Sequence, residues 1–148
     1  MHAFPLCRKL TADDAASVAR VEKACFSLPW TEPQIASAFT QKAYGAFGLF
    51  SENLLGYISV YHVVPEMEIL NLAVLPAYRR KGYGRFLLMT CLQASQKMGI
   101  HTVWLEVRER NVAARALYDS VGFVVSGVRA KYYSDTGEDA CILVFSMT

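Results

Sequence analysis

The chain has 148 residues, 53% of them hydrophobic and 19% charged, and a formal net charge of +2. That balance is the composition of one folded domain, expected to span residues 1–148, and it excludes a disordered polymer or a low-complexity repeat. The charge is too small and too scattered for a dedicated nucleic-acid surface, and no apolar run reaches the ~20 residues of a membrane span, so neither partner is expected.

The chain opens with a short strand over Phe4–Leu10, and Thr11-Ala12-Asp13-Asp14 supplies capping groups for a helix carrying Ala15, Val18, Val21, Ala24 and Cys25. Pro29 interrupts the segment after it. Thr31 caps a second short helix to about Thr40, with Pro33 tolerated in its first turn. Tyr44–Phe50 and Leu54–Val63 have the aromatic and β-branched content of a hairpin, and Pro65 starts the turn into a third strand, Glu66–Val74. A helix from about Gly82 to Met98 shows apolar residues at helical spacing, Leu87, Leu88, Cys91 and Leu92, and Gly99 ends it. Thr102–Val107 is nearly all apolar, as a strand covered on both faces should be. Asn111 caps a further helix, Gly122 ends it in the left-handed conformation, and Phe123–Val128 pairs with Asp139–Met147 to close the chain. The expected fold class is α/β: a sandwich with one mixed, mostly antiparallel central sheet and helices on both faces.

Cys7, Cys25, Cys91 and Cys141 contain no Cys-x-x-Cys pair, and His2, His62 and His101 form no metal-ligand spacing with them, so no metal is expected. Met1–Leu10 has no long apolar core followed by a small-residue cleavage site; free thiols in a cytoplasmic protein are the expectation.

The most informative stretch is Arg79-Arg80-Lys81-Gly82-Tyr83-Gly84-Arg85, between the strand Ile69–Val74 and the next helix. Glycines let backbone approach a ligand closely, a helix amino terminus attracts anions, and the basic side chains add charge, so the turn is a candidate pyrophosphate cradle. A solvated basic turn is the alternative. It is neither a Walker loop, lacking the Gly-Lys-Ser/Thr order, nor a dinucleotide fingerprint, lacking the third glycine.

Glu106 stands in an otherwise apolar strand, where burial raises a carboxyl pKa toward the range of a general base. Its alternative is structural pairing with Arg108 or Arg110. Tyr118, on the helix after Asn111, is a candidate acid if its hydroxyl reaches the sheet near Glu106; core packing is its alternative. Glu68 is a second possible base or a solvated edge carboxylate. Trp30, Tyr132 and Tyr133 are candidates for a groove wall or for packing.

Arg-x-x-Gly-x-Gly from Arg79 to Gly84 after a strand resembles the acetyl-coenzyme A motif of the GNAT N-acetyltransferases. Leu105-Glu106-Val107-Arg108, Asn111, Ala116-Leu117-Tyr118 and Gly122-Phe123 resemble the RimI-type branch of that family, and Phe26-Ser27-Leu28-Pro29-Trp30 and Lys131-x-Tyr133 extend the likeness over nearly the whole chain. The resemblance implies Glu106 as base and Tyr118 as acid. It implies acetyl-CoA held by Leu72, Ala73, Val74, Arg80, Lys81, Gly82, Tyr83, Gly84, Arg85 and Asn111. It also implies transfer to the α-amino group of an amino-terminal alanine, with small-subunit ribosomal protein eighteen as expected substrate, by a monomer or weak dimer. Acetylation of a small amine or lysine side chain, and a non-catalytic CoA-binding module, are the competing readings.

Overall fold

The computed structural model describes residues 4–147; His2 and the rest of 1–3, with Thr148, lie outside the described residues. In chain order the elements are β1 (Leu6–Lys9), α1 (Ala15–Cys25), α2 (Glu32–Phe39), β2 (Tyr44–Phe50), β3 (Leu54–Val63), β4 (Glu66–Val74), α3 (Tyr83–Lys97), β5 (Thr102–Arg108), α4 (Val112–Val121), β6 (Val124–Arg129) and β7 (Ala140–Ser146). Single 3-10 turns at Ala12–Asp14 and Pro76–Tyr78, which hydrophobic periodicity does not reveal, lead out of β1 and β4. The strands form one seven-stranded sheet in the order β1-β2-β3-β4-β5-β7-β6, antiparallel except where β4 meets β5.

Local chemistry explains most boundaries. Thr31 accepts from the Gln34 amide while Gln34 accepts from the Thr31 amide, a capping box that starts α2. Gly122, at φ 118, closes α4 in the conformation that glycine adopts at least cost. All four cysteines are free thiols.

Two cores flank the sheet. Val18, Val21 and Ile35 of α1 and α2 pack on Ala46, Tyr57 and Ala73, while Leu87, Leu88 and Cys91 of α3 and Tyr118 of α4 pack with Ile58, Ile69, Leu105 and Leu143 on the other face. Leu87 and Leu88 are wholly buried, a stabilisation of roughly 1.5–3 kcal/mol each by apolar burial.

Two irregularities position the site. Opposite β3, Ser59 pairs with Asn71 but Val60 pairs with Ile69, so Leu70 is a bulge and the facing of β4 reverses there. Met67 and Ile69 pack on the α3 side before it and Leu72 and Val74 after it, leaving Asn71 and Ala73 toward α1. In addition, β4 and β5 pair only over Glu66–Ile69 and Thr102–Leu105, although each strand continues beside its other neighbour, to Val74 and Arg108. The sheet therefore splits between them, and the β5-facing edge of Leu70–Val74 has no strand partner.

Candidate active site

The glycine turn and the split in the sheet lie at the same end of β4. Arg80 and Gly82 both adopt left-handed backbone, at φ 64 and φ 80, and this curl delivers the chain into the 15-residue helix α3. No side chain caps α3: its N-cap is Gly82, so the first-turn amides have no side-chain acceptor. Curled backbone leading to an uncapped helix amino terminus matches the donor set that a pyrophosphate needs. A Cβ on Gly84 would meet only ordinary contacts, Leu117 at 3.7 Å and Val74 at 3.9 Å, so the fold itself tolerates alanine there. Gly82 is different, because its φ strains any other residue.

The basic side chains divide. Arg79 donates from Nε to the Val74 carbonyl at 2.9 Å, and Arg85 from Nη1 to Ser120 Oγ at 2.7 Å, tying the turn to β4 and α4. Arg79 and Arg85 are thus anchored to the fold. Arg80 and Lys81 stay exposed beside the turn. Asn111 caps α4 by accepting from the Ala114 amide at 3.2 Å. Leu72 and Ala73, with Val74, occupy the unpartnered edge of β4, whose backbone suits an extended pantetheine arm. These features fit acetyl-CoA on both its phosphate and its thioester side.

Glu106 lies where the strands part. Its side chain is 12% exposed; Oε1 lies 3.6 Å from Arg129 Nε, and Oε2 is buried with no hydrogen-bond partner among the described residues. The alternative, pairing with Arg108 or Arg110, is not seen among the described residues: Arg108 is bidentate to Asp135, at 2.9 Å through each terminal nitrogen, and stacks over the Tyr133 ring at 4.0 Å, and the cation beside Glu106 is Arg129. Glu68 is not an edge carboxylate, since β4 is central in the sheet. Partial burial first, then the charge of Glu106, raise its pKa, with Arg129 opposing. Tyr132 is raised likewise, by burial and then by Glu106, and burial pushes Tyr133 up to about 12 against the pull of Arg108. Glu68, Glu106, Arg129, Tyr132 and Tyr133 therefore form one electrostatic cluster.

Tyr118 does not sit beside Glu106. Alternation along β5 puts Val103, Leu105 and Val107 in the core with Tyr118 and turns Glu106 to the other face. Tyr118 is 5% exposed and packs edge-on to Phe123 with ring centroids 5.4 Å apart. Burial, and then the nearby Cys91, raise its pKa, which keeps the phenol protonated. The two candidates thus lie on opposite faces of the sheet.

Sequence reading missed two contributors altogether. Arg129 lies on the edge strand β6, and Asp135 lies in the β6–β7 loop, where it also accepts from the Ser27 hydroxyl in the α1–α2 loop. The Arg108 and Ser27 hydrogen bonds hold Asp135 at about 2. No local pattern announces either residue, because Arg129 meets Glu106, and Asp135 meets Arg108 and Ser27, more than about twenty positions away. Among the described residues no group of three or more His, Cys, Asp or Glu side chains could hold a metal ion, and no helix is long and apolar enough to cross a membrane.

A split parallel pair, a glycine turn into an uncapped helix and a largely buried carboxylate at the fork suit an acyltransferase that takes its acyl group from a coenzyme A thioester. The model of the acetyltransferase (GNAT) family matches residues 15–123, and the chain belongs to that family. It is an acetyl-CoA-dependent N-acetyltransferase. The ribosomal protein bS18-alanine N-acetyltransferase of Escherichia coli is 35% identical over 142 residues, covering 94% of this chain and 95% of that protein. A crystal structure of the Escherichia coli enzyme superposes with TM-score 0.89 at 34% identity, over 97% of this chain and 95% of that one. Ard1 from Thermoplasma volcanium, 24% identical, shares the fold with TM-score 0.88 over 99% of this chain and of that one.

Proposed function

We propose that this enzyme acetylates the α-amino group of a protein beginning with alanine, with small-subunit ribosomal protein eighteen as its substrate in the cytoplasm. The observation that carries the proposal is the Glu106 carboxylate at the fork, largely buried and with one oxygen unengaged, in a chain whose relatives of nearly equal length carry that activity in their names. Acetyl-CoA supplies an activated acetyl group as a thioester; the remaining work falls to the chain. The turn amides from Gly82 to Arg85, with Arg80 and Lys81 nearby, hold the pyrophosphate, and the free edge of Leu72–Val74 orients the arm and offers an amide to the thioester oxygen. Asn111 fixes the start of α4 beside it. Glu106 takes a proton from the acceptor ammonium, directly or through water; an α-amino group has an unperturbed pKa of about 8, so much of it arrives protonated at neutral pH. Tyr118, kept protonated by burial, donates to sulfur from the other face as negative charge gathers there.

The test is incubation with acetyl-CoA and three acceptors: the amino-terminal peptide of ribosomal protein eighteen, an amino-blocked lysine peptide, and small free amines. Mass spectrometry should locate one acetyl group on the α-nitrogen of the first. Acetylation of the other acceptors alone, or thermal stabilisation by acetyl-CoA with no transfer at all, would overturn the assignment.

A further inference from the structure

Glu22 is a charged residue in an apolar core. It lies on α1 among Val18, Val21 and Ile35, is 1% exposed, and has no cationic partner among the described residues. Burying a carboxylate is costly unless donors surround it, and here the donors come from three other parts of the chain. The Trp30 amide donates to Oε1 at 2.9 Å; the Tyr57 hydroxyl donates to Oε2; Asn71 Nδ2 donates to Oε2 at 3.1 Å. Asn71 also reaches the Tyr57 oxygen at 3.3 Å, so the four groups form one network. Burial raises the Glu22 pKa while the Tyr57 and Trp30 hydrogen bonds hold it down.

Trp30 ends the α1–α2 loop, which the Ser27–Asp135 contact ties to the Glu106 side of the split. Asn71 stands in the stretch of β4 that continues without β5, between the bulge at Leu70 and the cofactor edge at Leu72–Val74. One buried group thus joins the loop beside the acceptor to the strand beside the donor. A carboxylate suits the task because it offers only acceptors, whereas an apolar side chain would leave three donors unsatisfied.

We propose that Glu22 is a positioning residue for acetyl transfer, holding the Trp30 loop in register with the Leu70–Val74 edge so that the acceptor amine meets the thioester at attacking distance. This rests on the function proposed above. Glu22 touches neither substrate; it acts through Trp30 and Asn71. Misplacement of reacting groups by about 1 Å can cost on the order of 10²-fold in rate.

The test compares Glu22→Met, which keeps volume and removes the acceptors, with Glu22→Gln. Gln retains an acceptor for the Trp30 amide, and the Tyr57 hydroxyl can turn to accept from its NH2 group, but that NH2 group faces Asn71 Nδ2, so Gln keeps the link to the loop and loses the direct bond to β4. In the full chain, Glu22→Met should lose about tenfold or more in kcat/KM for the peptide with acetyl-CoA affinity changed by less than about threefold, and Glu22→Gln, which keeps the Trp30 link only, should recover part of the loss. Asn71→Ala cuts only the link to β4; it should show the same split in smaller degree and decides the matter if Glu22→Met does not fold. Equal losses in peptide efficiency and acetyl-CoA affinity, or a lowered melting temperature with unchanged kinetics, would overturn the proposal. Should the wild-type enzyme acetylate no peptide, the functional reading fails by itself. The network is then judged by Trp30 emission in a Trp104→Phe background: Glu22→Met must shift it to longer wavelength if Glu22 holds that loop, and an unshifted spectrum refutes the link.

Discussion

The two halves of the proposed site, one for the acetyl donor and one for the acceptor, are built on different principles. The donor half is backbone: a curl at Arg80 and Gly82, the uncapped start of α3 and the free edge of β4, all within residues 70–86. The acceptor half is side chain: Glu106 of β5, Arg129 of β6, Asp135 of the β6–β7 loop and Ser27 of the α1–α2 loop, joined across the fold. Backbone donors can be supplied by many sequences that make the same turn, whereas side-chain chemistry depends on the identity of single residues. Substitutions in the acceptor half should therefore act on turnover, and those in the donor half on affinity.

The sharpest test of that division is Glu106→Gln. Removing the proposed base while keeping its size should lower kcat by roughly 10²- to 10⁴-fold and leave acetyl-CoA affinity almost unchanged. Steady-state rates below, at and above neutral pH, with calorimetric titration of acetyl-CoA, provide the check. A rate within about twofold of wild type would move the base to Glu68, whose raised pKa makes it the neighbouring candidate.

Tyr118→Phe comes next, with an expected loss of on the order of 10²-fold in kcat. The ring packed on Phe123 is retained, so the melting temperature should hold within a few degrees of wild type. Normal turnover would remove Tyr118 from the chemistry, and a large fall in melting temperature would show that its hydroxyl is structural.

Within the donor half, Gly84→Ala should weaken acetyl-CoA binding by about tenfold, because the new methyl group stands where backbone must meet pyrophosphate. It should leave the apo protein's stability nearly intact, since that Cβ meets nothing closer than 3.7 Å. Gly82→Ala should instead destabilise the apo fold by about 1–2 kcal/mol through left-handed backbone strain. Denaturant unfolding and calorimetry on both variants separate the two roles, and equal stability losses would break the distinction.

The smallest effect belongs to Arg80→Ala. An exposed charge beside an anion is screened by salt, so acetyl-CoA affinity should fall only a few-fold at low ionic strength and less at ~0.5 M salt. A salt-independent loss would mean that Arg80 makes a shielded, direct contact.

Legibility in the sequence divides along the same line. The strand, turn and helix around Gly82 could be read from periodicity and residue type, because their chemistry lies within one short window. Glu106 could be singled out as a carboxylate in an apolar strand. Its cation could not: Arg108 and Arg110 are nearer in sequence, but Arg108 turns to Asp135 and Arg129 arrives from β6 across β7. Tyr118 was recognisable as a candidate, yet the face it occupies depends on how α4 packs against β5, which no local pattern encodes.

By itself, then, the sequence determined the order of the elements, the glycine turn before α3 and the residue types available for chemistry, because capping, alternation and glycine conformation act over a few residues. Only the tertiary structure decided where the sheet splits, which carboxylates share Arg129, and that Glu22 joins α1 to Trp30, Tyr57 and Asn71. These are contacts between residues far apart in the chain, and their partners are selected by packing and by the need to satisfy buried polar groups, quantities that exist only once the chain has folded.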